Sequence, residues 1–145
     1  MTFRSGAMTN SFREFAKAKT LLLIGTNMTE AHPVASTFVK DAVLAGAKLI
    51  VVDPRKTPLV DFAERHLQIK VGSDIAFLNS VMNVLINENL YDKKFVEESC
   101  EGFEELKKKV MEYPPEKAAE IAGVSADDIR SLARTLAASK PAMLM

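Results

Sequence analysis

The chain has 145 residues, enough for one domain to bury a core without disulfides or a structural metal. Its 19 basic and 19 acidic residues balance to a formal charge of zero and are mixed along the chain, which argues against a nucleic-acid partner. A single cysteine excludes an internal disulfide and favours a reducing compartment, so we expect a cytoplasmic location. No apolar run approaches the roughly 20 residues that cross a bilayer, so no membrane span is expected.

The first residues predict a polar segment followed by a short helix. Residues 1–10 are small and polar, which is typical of a loop. Residues 11–18 carry a helical apolar pattern, with Ser11 as the predicted cap.

A strand–helix–strand unit is predicted next. Residues 21–24 and 49–52 are apolar runs without alternation, which is typical of strands covered on both faces in a parallel sheet. Between them, apolar side chains recur at i, i+4 spacing over residues 34–45 and predict a helix. Pro33 suits the first turn of that helix, and Gly46 suits the left-handed position just after it.

A third strand and a long helix follow. Thr57 with Pro58 predicts the start of a short helix through residue 64. Residues 67–71 alternate apolar and polar side chains, which predicts a strand near the edge of the sheet. Residues 75–87 have the period of a buried helix.

The last third predicts short helices and one final strand. The final strand is predicted over residues 142–145, an apolar run at which the chain stops. The helices before it are recognised by their start signals, which are Asp92, the apolar stripe from Phe103, Pro114 with Pro115, and Ser125.

This order of elements predicts an α/β fold. We expect a doubly wound, mainly parallel sheet of the Rossmann-like, three-layer αβα kind, with a helical insertion before the last strand. Residues 1–145 are expected to form a single domain. Because the chain stops at the beginning of an apolar strand, we interpret it as a piece excised from a larger chain.

Three polar loops follow the predicted strands and are the candidate ligand site. In the first loop, Gly25 permits close approach to the backbone, while Thr26 and Asn27 offer donors and acceptors beside a helix start that suits an anion. In the second, Asp53 stands where an acidic residue commonly accepts hydrogen bonds from a ribose diol, and the Pro54-Arg55 pair offers a guanidinium for a phosphate.

The third loop consists of residues 72–74. Gly72 ends the strand, Ser73 offers a hydroxyl, and the Asp74 carboxylate suits the N–H groups of a guanine. Each loop also has a structural interpretation, as a turn, a helix cap or a surface ion pair. Three such loops at one edge of a sheet favour a ligand site.

Familiar nucleotide motifs and catalytic groups are missing. The first loop has one glycine where a dinucleotide fingerprint has three, and no Walker loop is present. His32 suits either a phosphate contact or simple packing, and His66 is given no role. Cys100 lies among glutamates, which disfavour a thiolate, so a structural role is expected for it.

The three loops together resemble the molybdopterin oxidoreductase family, and above all its formate dehydrogenase catalytic subunits. The similar segments are Gly-Thr-Asn-Met-Thr-Glu-Ala-His-Pro at residues 25–33, Val-Val-Asp-Pro-Arg-Lys-Thr at 51–57 and Gly-Ser-Asp at 72–74. Shorter segments continue the resemblance to residue 134, and residues 5–10 resemble the loop that enters this domain.

The resemblance implies a cofactor. Members of the family hold molybdenum or tungsten between two molybdopterin guanine dinucleotides (bis-MGD), and this domain would cradle one of them. Gly25 and Asn27, with Glu30 and His32, would lie along the diphosphate and the pterin-proximal part of the cofactor. Asp53 and Arg55 would take the ribose or a phosphate, and Ser73 with Asp74 the guanine.

The resemblance also implies an activity for the whole subunit. That activity is oxidation of formate to carbon dioxide, with electrons leaving through an iron–sulfur cluster to electron-transfer subunits. No cysteine cluster and no cysteine followed by histidine occurs here, so the catalytic centre and the cluster belong to other domains and the chain alone is expected to be inactive. The alternative is a regulatory or transferase module that binds NAD, FAD or CoA without metal chemistry.

Overall fold

The computed structural model describes residues 11–145, so the predicted loop at residues 1–10 lies outside the described residues. Four parallel strands form one sheet in the order β3-β2-β1-β4. Their bounds are Thr20–Ile24 (β1), Lys48–Val52 (β2), Arg65–Leu67 (β3) and Ala142–Leu144 (β4).

Helices connect and cover these strands. The described residues contain seven α-helices: Met28–Ala31 (α1), Pro33–Leu44 (α2), Asp74–Asn87 (α3), Lys93–Ser99 (α4), Phe103–Val110 (α5), Pro115–Ala122 (α6) and Ala126–Ala138 (α7). Two short 3-10 helices, Phe12–Lys17 and Pro58–Phe62, precede β1 and β3. None of the described helices combines the length and apolarity needed to cross a membrane.

The sheet is buried on both faces, which explains its unalternating apolar strands. Leu21 and Leu23 face a cluster formed with α1, α2 and the two 3-10 helices. Leu22 lies between them in sequence and faces the opposite cluster, formed with α3, α6 and α7. Successive side chains of a strand point to opposite faces, so both sets must be apolar here. The predicted doubly wound α/β fold is confirmed.

Four details differ from the sequence prediction. The third strand spans Arg65–Leu67 and was predicted two residues later. A one-turn helix, α1, occupies part of the predicted first loop. Ser11 and Thr57 stand at the starts of 3-10 helices but form no side-chain capping bond. The last strand, β4, lies at a sheet edge and is only partly buried.

The third strand ends early because its partner ends. Val52, the last residue of β2, pairs with Leu67, and after it the chain turns through Pro54, which has no N–H to donate. The amide of Lys70 donates to Ala122 O of α6 at 2.8 Å. Residues 68–71 therefore lead away from the sheet.

The helical insertion has a buried part and an exposed part. Helices α6 and α7 pack against α3 and complete one core cluster. Helix α4 has no buried residue, and α5 buries only Val110, whose carbonyl accepts a hydrogen bond from Asn83 Nδ2 of α3 at 2.9 Å. As predicted, the side chains of Asp92 and Ser125 cap α4 and α7.

Two ion pairs connect α7 to α6 and to the end of α3, and they make the free energy of unfolding depend on pH in the acid range. Arg134 Nε and Nη2 donate to both Glu88 carboxylate oxygens, at 2.9 and 2.8 Å, and Arg130 bonds Glu116. These hydrogen bonds hold the pKa of Glu88 and of Glu116 below the ordinary value. A carboxylate whose pKa is lower in the folded state than its unfolded value of 4.5 stabilises the fold at pH values above 4.5. This stabilisation is lost as the pH falls through the folded-state pKa.

We therefore expect the wild-type urea midpoint to fall as the pH drops from about 5 to about 3. In Arg134→Met the decline should be shallower, because the Glu88 pKa returns toward its unfolded value. The effect should be modest, since both side chains are partly exposed to solvent. Urea midpoints of the two proteins across this range are the measurement, and parallel curves would contradict the assignment.

Candidate functional site

The loop after β1 offers open backbone. Gly25 has φ +59°, a left-handed conformation that glycine adopts without strain. Its N–H donates to Val52 O at 2.9 Å, which ties the carboxyl end of β1 to that of β2. A Cβ built on Gly25 would meet no atom of residues 11–145 within 4 Å, so the described residues leave space beside it for a ligand.

Buried oxygen atoms without hydrogen-bond partners concentrate in the first two loops. Of six such side-chain atoms in the described residues, four lie in the loops after β1 and β2. They are Asn27 Oδ1, Thr29 Oγ1, Asp53 Oδ2 and Thr57 Oγ1. Leaving a buried polar atom unpaired costs about 1–3 kcal/mol, so this concentration indicates groups that a ligand would satisfy.

Asp53 is the most constrained of these residues. It is 1% exposed, and its Oδ1 accepts a hydrogen bond from the Arg55 amide at 2.7 Å, which closes an Asx turn around Pro54. The Arg55 guanidinium is 3.6 Å from the same oxygen and is otherwise exposed. Only Oδ2 of the Asp53 carboxylate remains without a partner.

Strand β3 fixes the backbone of this turn. His66 Nε2 donates to Asp53 O at 2.9 Å, and Gln68 Nε2 donates to Pro54 O at 2.8 Å. Because a carbonyl oxygen can only accept, Nε2 of His66 must carry the hydrogen. No role was predicted from the sequence for His66 or Gln68. Neither contact follows a motif, since both depend on the register of β3 against β2.

The third predicted loop is anchored differently. Ser73 is buried, and its hydroxyl donates to Lys70 O at 2.6 Å instead of capping α3. The Lys70 ammonium in turn donates to Glu120 O at the end of α6, at 3.1 Å. Gly72 has φ +81°, and Asp74 is exposed at the first residue of α3. The helical insertion therefore holds this loop in place.

The structure brings two of the three loops into direct contact. The first and second are joined by the Gly25–Val52 hydrogen bond and by the packing of α1 against the 3-10 helix Pro58–Phe62. The third loop follows the carboxyl end of β3, on the same side of the sheet as the other two. No hydrogen bond or ion pair among the described residues links it to them.

The remaining predicted residues surround these loops. Thr26 is half-buried, and Glu30 is exposed in the first turn of α1. His32 is exposed between α1 and α2, beside a cavity of about 240 Å³ whose wall includes Phe12 and Pro33. The sequence predicted a helix start that would offer amides to an anion. Helix α2 begins at Pro33, which has no N–H, so the amides at its start are those of Val34 and Ala35, and the single turn of α1 precedes them.

Other parts of the described chain offer no competing chemistry. A groove of about 450 Å³ runs along α7, but its Arg130 and Arg134 already pair with carboxylates, and its Lys48 lies at the opposite edge of the sheet. Among residues 11–145, no three histidine, cysteine or acidic side chains lie together as a metal site. Cys100 is exposed at the end of α4.

The geometry suits a ligand with a diol and phosphates. A buried carboxylate oxygen without a partner can accept from ribose hydroxyls, Gly25 allows close approach, and the exposed Arg55 guanidinium can pair with a phosphate. These features fit the nucleotide part of a molybdopterin dinucleotide.

Comparison with known proteins gives a consistent family. Residues 1–144 match the family model described as molybdopterin oxidoreductase. Formate dehydrogenase H of Escherichia coli is 43% identical over 97% of the chain and 20% of its own length. Acetylene hydratase of Syntrophotalea acetylenica is 46% identical, over 92% and 18%. The assimilatory nitrate reductase catalytic subunit of Bacillus subtilis is 34% identical, over 94% and 19%.

A solved structure shares the fold. Acetylene hydratase from Pelobacter acetylenicus superposes with a TM-score of 0.84 at 45% identity, over 90% of this chain and 18% of that one. The chain thus spans about a fifth of the length of the curated relatives it matches. The names of these relatives denote different substrates, so the similarity assigns the family and leaves the substrate open.

Proposed function

This chain belongs to the molybdopterin oxidoreductase family, and from that premise we propose that it forms the wall that holds one molybdopterin guanine dinucleotide in a larger catalytic subunit. The family itself implies a molybdopterin-type cofactor. We propose three further points, which are the guanine dinucleotide form of the cofactor, the individual contacts, and the role of residues 1–145 as a single domain.

One observation carries this proposal. Four of the six buried, unpaired side-chain oxygens in the described chain lie in the two loops that meet at the carboxyl ends of β1 and β2. Ligands of open α/β sheets bind at this edge. A buried oxygen that no group of the described residues satisfies gains a hydrogen bond when a ligand hydroxyl reaches it, which favours binding over an empty cleft.

We assign the contacts by chemistry. Gly25, with Thr26 and Asn27, would face the diphosphate, and Glu30 and His32 would lie toward the pterin end. Asp53 Oδ2 would accept from the ribose diol, and Arg55 would pair with a phosphate where Pro54 shapes the turn. Gly72, Ser73 and Asp74 would receive the guanine. When bound, the cofactor supplies a molybdenum or tungsten centre for two-electron chemistry, and this chain contributes its orientation.

Formate is the proposed substrate of the whole subunit. Formate dehydrogenases of three organisms are among the relatives, at 39–44% identity. In this proposal, other domains supply the catalytic groups and an iron–sulfur cluster, electron-transfer subunits accept the electrons, the complex is cytoplasmic, and the 145 residues alone are inactive. The family match gives no support to the alternative of a metal-free NAD-, FAD- or CoA-binding module.

The guanine assignment predicts a change in base preference. The wild-type chain should bind GDP at least about tenfold more tightly than ADP, because a carboxylate accepts from guanine N–H groups that adenine lacks. In Asp74→Ala this preference should disappear while the melting temperature stays the same, since Asp74 is exposed. Titration calorimetry with both nucleotides is the measurement.

Asp127→Ala is a matched control, because Asp127 is an exposed acidic residue in the first turn of another helix. It should leave the preference for GDP intact. Equal affinity of the wild-type chain for GDP and ADP would contradict the guanine assignment and favour a general nucleotide module.

A further inference from the structure

The turn after β2 is held from the side by two residues of the neighbouring chain segment. We call His66 and Gln68 the β3 brace, because their side chains donate to two successive backbone carbonyls, Asp53 O at 2.9 Å and Pro54 O at 2.8 Å. A third contact lies between them, where the Asp53 amide donates to Leu67 O at 3.3 Å.

These contacts occupy the polar atoms of Asp53 with one exception. Its amide donates to Leu67, its carbonyl accepts from His66, and its Oδ1 accepts from the Arg55 amide. Oδ2 alone is left, inside a residue that is 1% exposed. A carboxylate fixed at every other atom cannot turn to satisfy its last oxygen within the protein.

We propose that His66 and Gln68 are positioning residues that fix the Asp53 turn so that Asp53 Oδ2 stays available to ligand hydroxyls. This inference rests on the proposed function for the identity of the ligand. It goes beyond that function because neither residue is expected to touch the cofactor. Pre-positioning an acceptor lowers the cost of ordering it when the ligand binds.

Two features separate this role from ordinary packing. Ring and amide groups that only filled space would not need a donor aimed at a carbonyl, yet both side chains supply one. Gln68 is exposed, so its hydrogen bond competes with water and contributes little to global stability. The brace therefore acts on the local geometry of one turn.

The test uses the 145-residue chain, GDP, and dideoxy-GDP, which lacks the ribose diol. His66→Phe keeps a ring of similar size but removes the donor, and His66→Gln returns an amide donor near the position of Nε2. GDP binding should weaken about three- to tenfold in His66→Phe, the effect of one hydrogen bond, while dideoxy-GDP binding is unchanged. His66→Gln should recover affinity to within about twofold of the wild type.

A second pair of variants tests the other half of the brace. Gln68→Met keeps the length of the side chain without its donor, and it should weaken GDP binding alone by a few-fold. Lys48→Gln, at the opposite edge of the sheet, is the control and should change neither affinity. Equal weakening of both nucleotides in His66→Phe, or no change in either, would overturn the positioning role.

Hydrogen exchange reports on the brace without a ligand. The Arg55 amide, which donates to Asp53 Oδ1, should exchange faster in His66→Phe and return to its wild-type rate in His66→Gln, while core amides of β1 keep their protection. An unchanged Arg55 rate in His66→Phe would overturn the inference even if nucleotide binding follows expectation. If Asp53→Ala binds GDP and dideoxy-GDP as the wild type does, the ribose assignment fails, and Arg55 exchange alone decides the role of the brace.

Discussion

Replacing Phe77 with alanine is expected to lower the free energy of unfolding by about 3–5 kcal/mol, the range for large-to-small changes in a packed core. Phe77 is 0% exposed and lies where α3 meets the sheet, in the cluster that also contains Leu22 and Val52. Few side chains could fill the cavity, because strands and helices enclose it. Thermal unfolding should show a fall of about 10–15 °C.

Ile75→Ala on the same helix is the control, since Ile75 is 72% exposed. It should change the free energy of unfolding by no more than about 0.5 kcal/mol. A loss below about 1 kcal/mol in Phe77→Ala would mean that α3 does not pack on the sheet as described. That outcome would also remove the support for residues 72–74, which lead directly into this helix.

The second large effect is expected on ligand binding, in Asp53→Asn. The new side-chain amide keeps an oxygen that can accept from the backbone N–H of Arg55, so the Asx turn and the fold should persist. The substitution replaces Asp53 Oδ2, the acceptor without a partner, with an uncharged N–H₂ group that can only donate. Hydrogen bonds to charged groups contribute about 1.5–3 kcal/mol, so GDP should bind about tenfold or more weakly.

Stability should move the other way or not at all. Burying an unpaired carboxylate oxygen is costly, and the neutral amide reduces that cost, so we expect an unchanged or slightly higher melting temperature. Asp61→Asn makes the same chemical change on an exposed residue paired with Lys56 and should alter neither property. Wild-type GDP affinity in Asp53→Asn would contradict the assignment of Oδ2 to the ligand.

The sequence predicts the parts of the fold that depend on local chemistry. The apolar runs of β1 and β2 have no polar face because helices cover both sides of the sheet, and such runs can be recognised directly. Ser125 caps α7 and Gly123 ends α6 with φ +77°, as their residue types suggest. These features are set by a few neighbouring residues.

Features that depend on distant partners were harder to predict. The alternation of residues 67–71 resembles a strand, but a strand needs a neighbour, and β2 has already ended at Val52. The amide of Lys70 donates to Ala122 O of α6, about fifty residues further along the chain, and Lys70 Nζ donates to Glu120 O of the same helix. No local pattern contains that information.

The candidate site divides in the same way. Gly25, Asp53 and Asp74 stand out in the sequence because of their residue types and their positions after predicted strands. Thr57 was predicted to cap a helix at the end of the second loop, whereas the structure buries its hydroxyl without a partner among the described residues. The roles of His66 and Gln68 follow from side chains reaching across to another strand's backbone, which requires the register of β2 and β3.

Chemical-shift mapping with GDP on the 145-residue chain is the most direct test of the proposed ligand site in the three loops, because it locates even a weakly bound ligand. We expect GDP to perturb the amides of Gly25 and its neighbours, of Asp53 and Arg55, and of Ser73 with Asp74, while α4 and α5 stay unperturbed. Perturbations confined to the α7 groove or to α4 and α5, or no perturbation at millimolar GDP, would contradict the proposed ligand site.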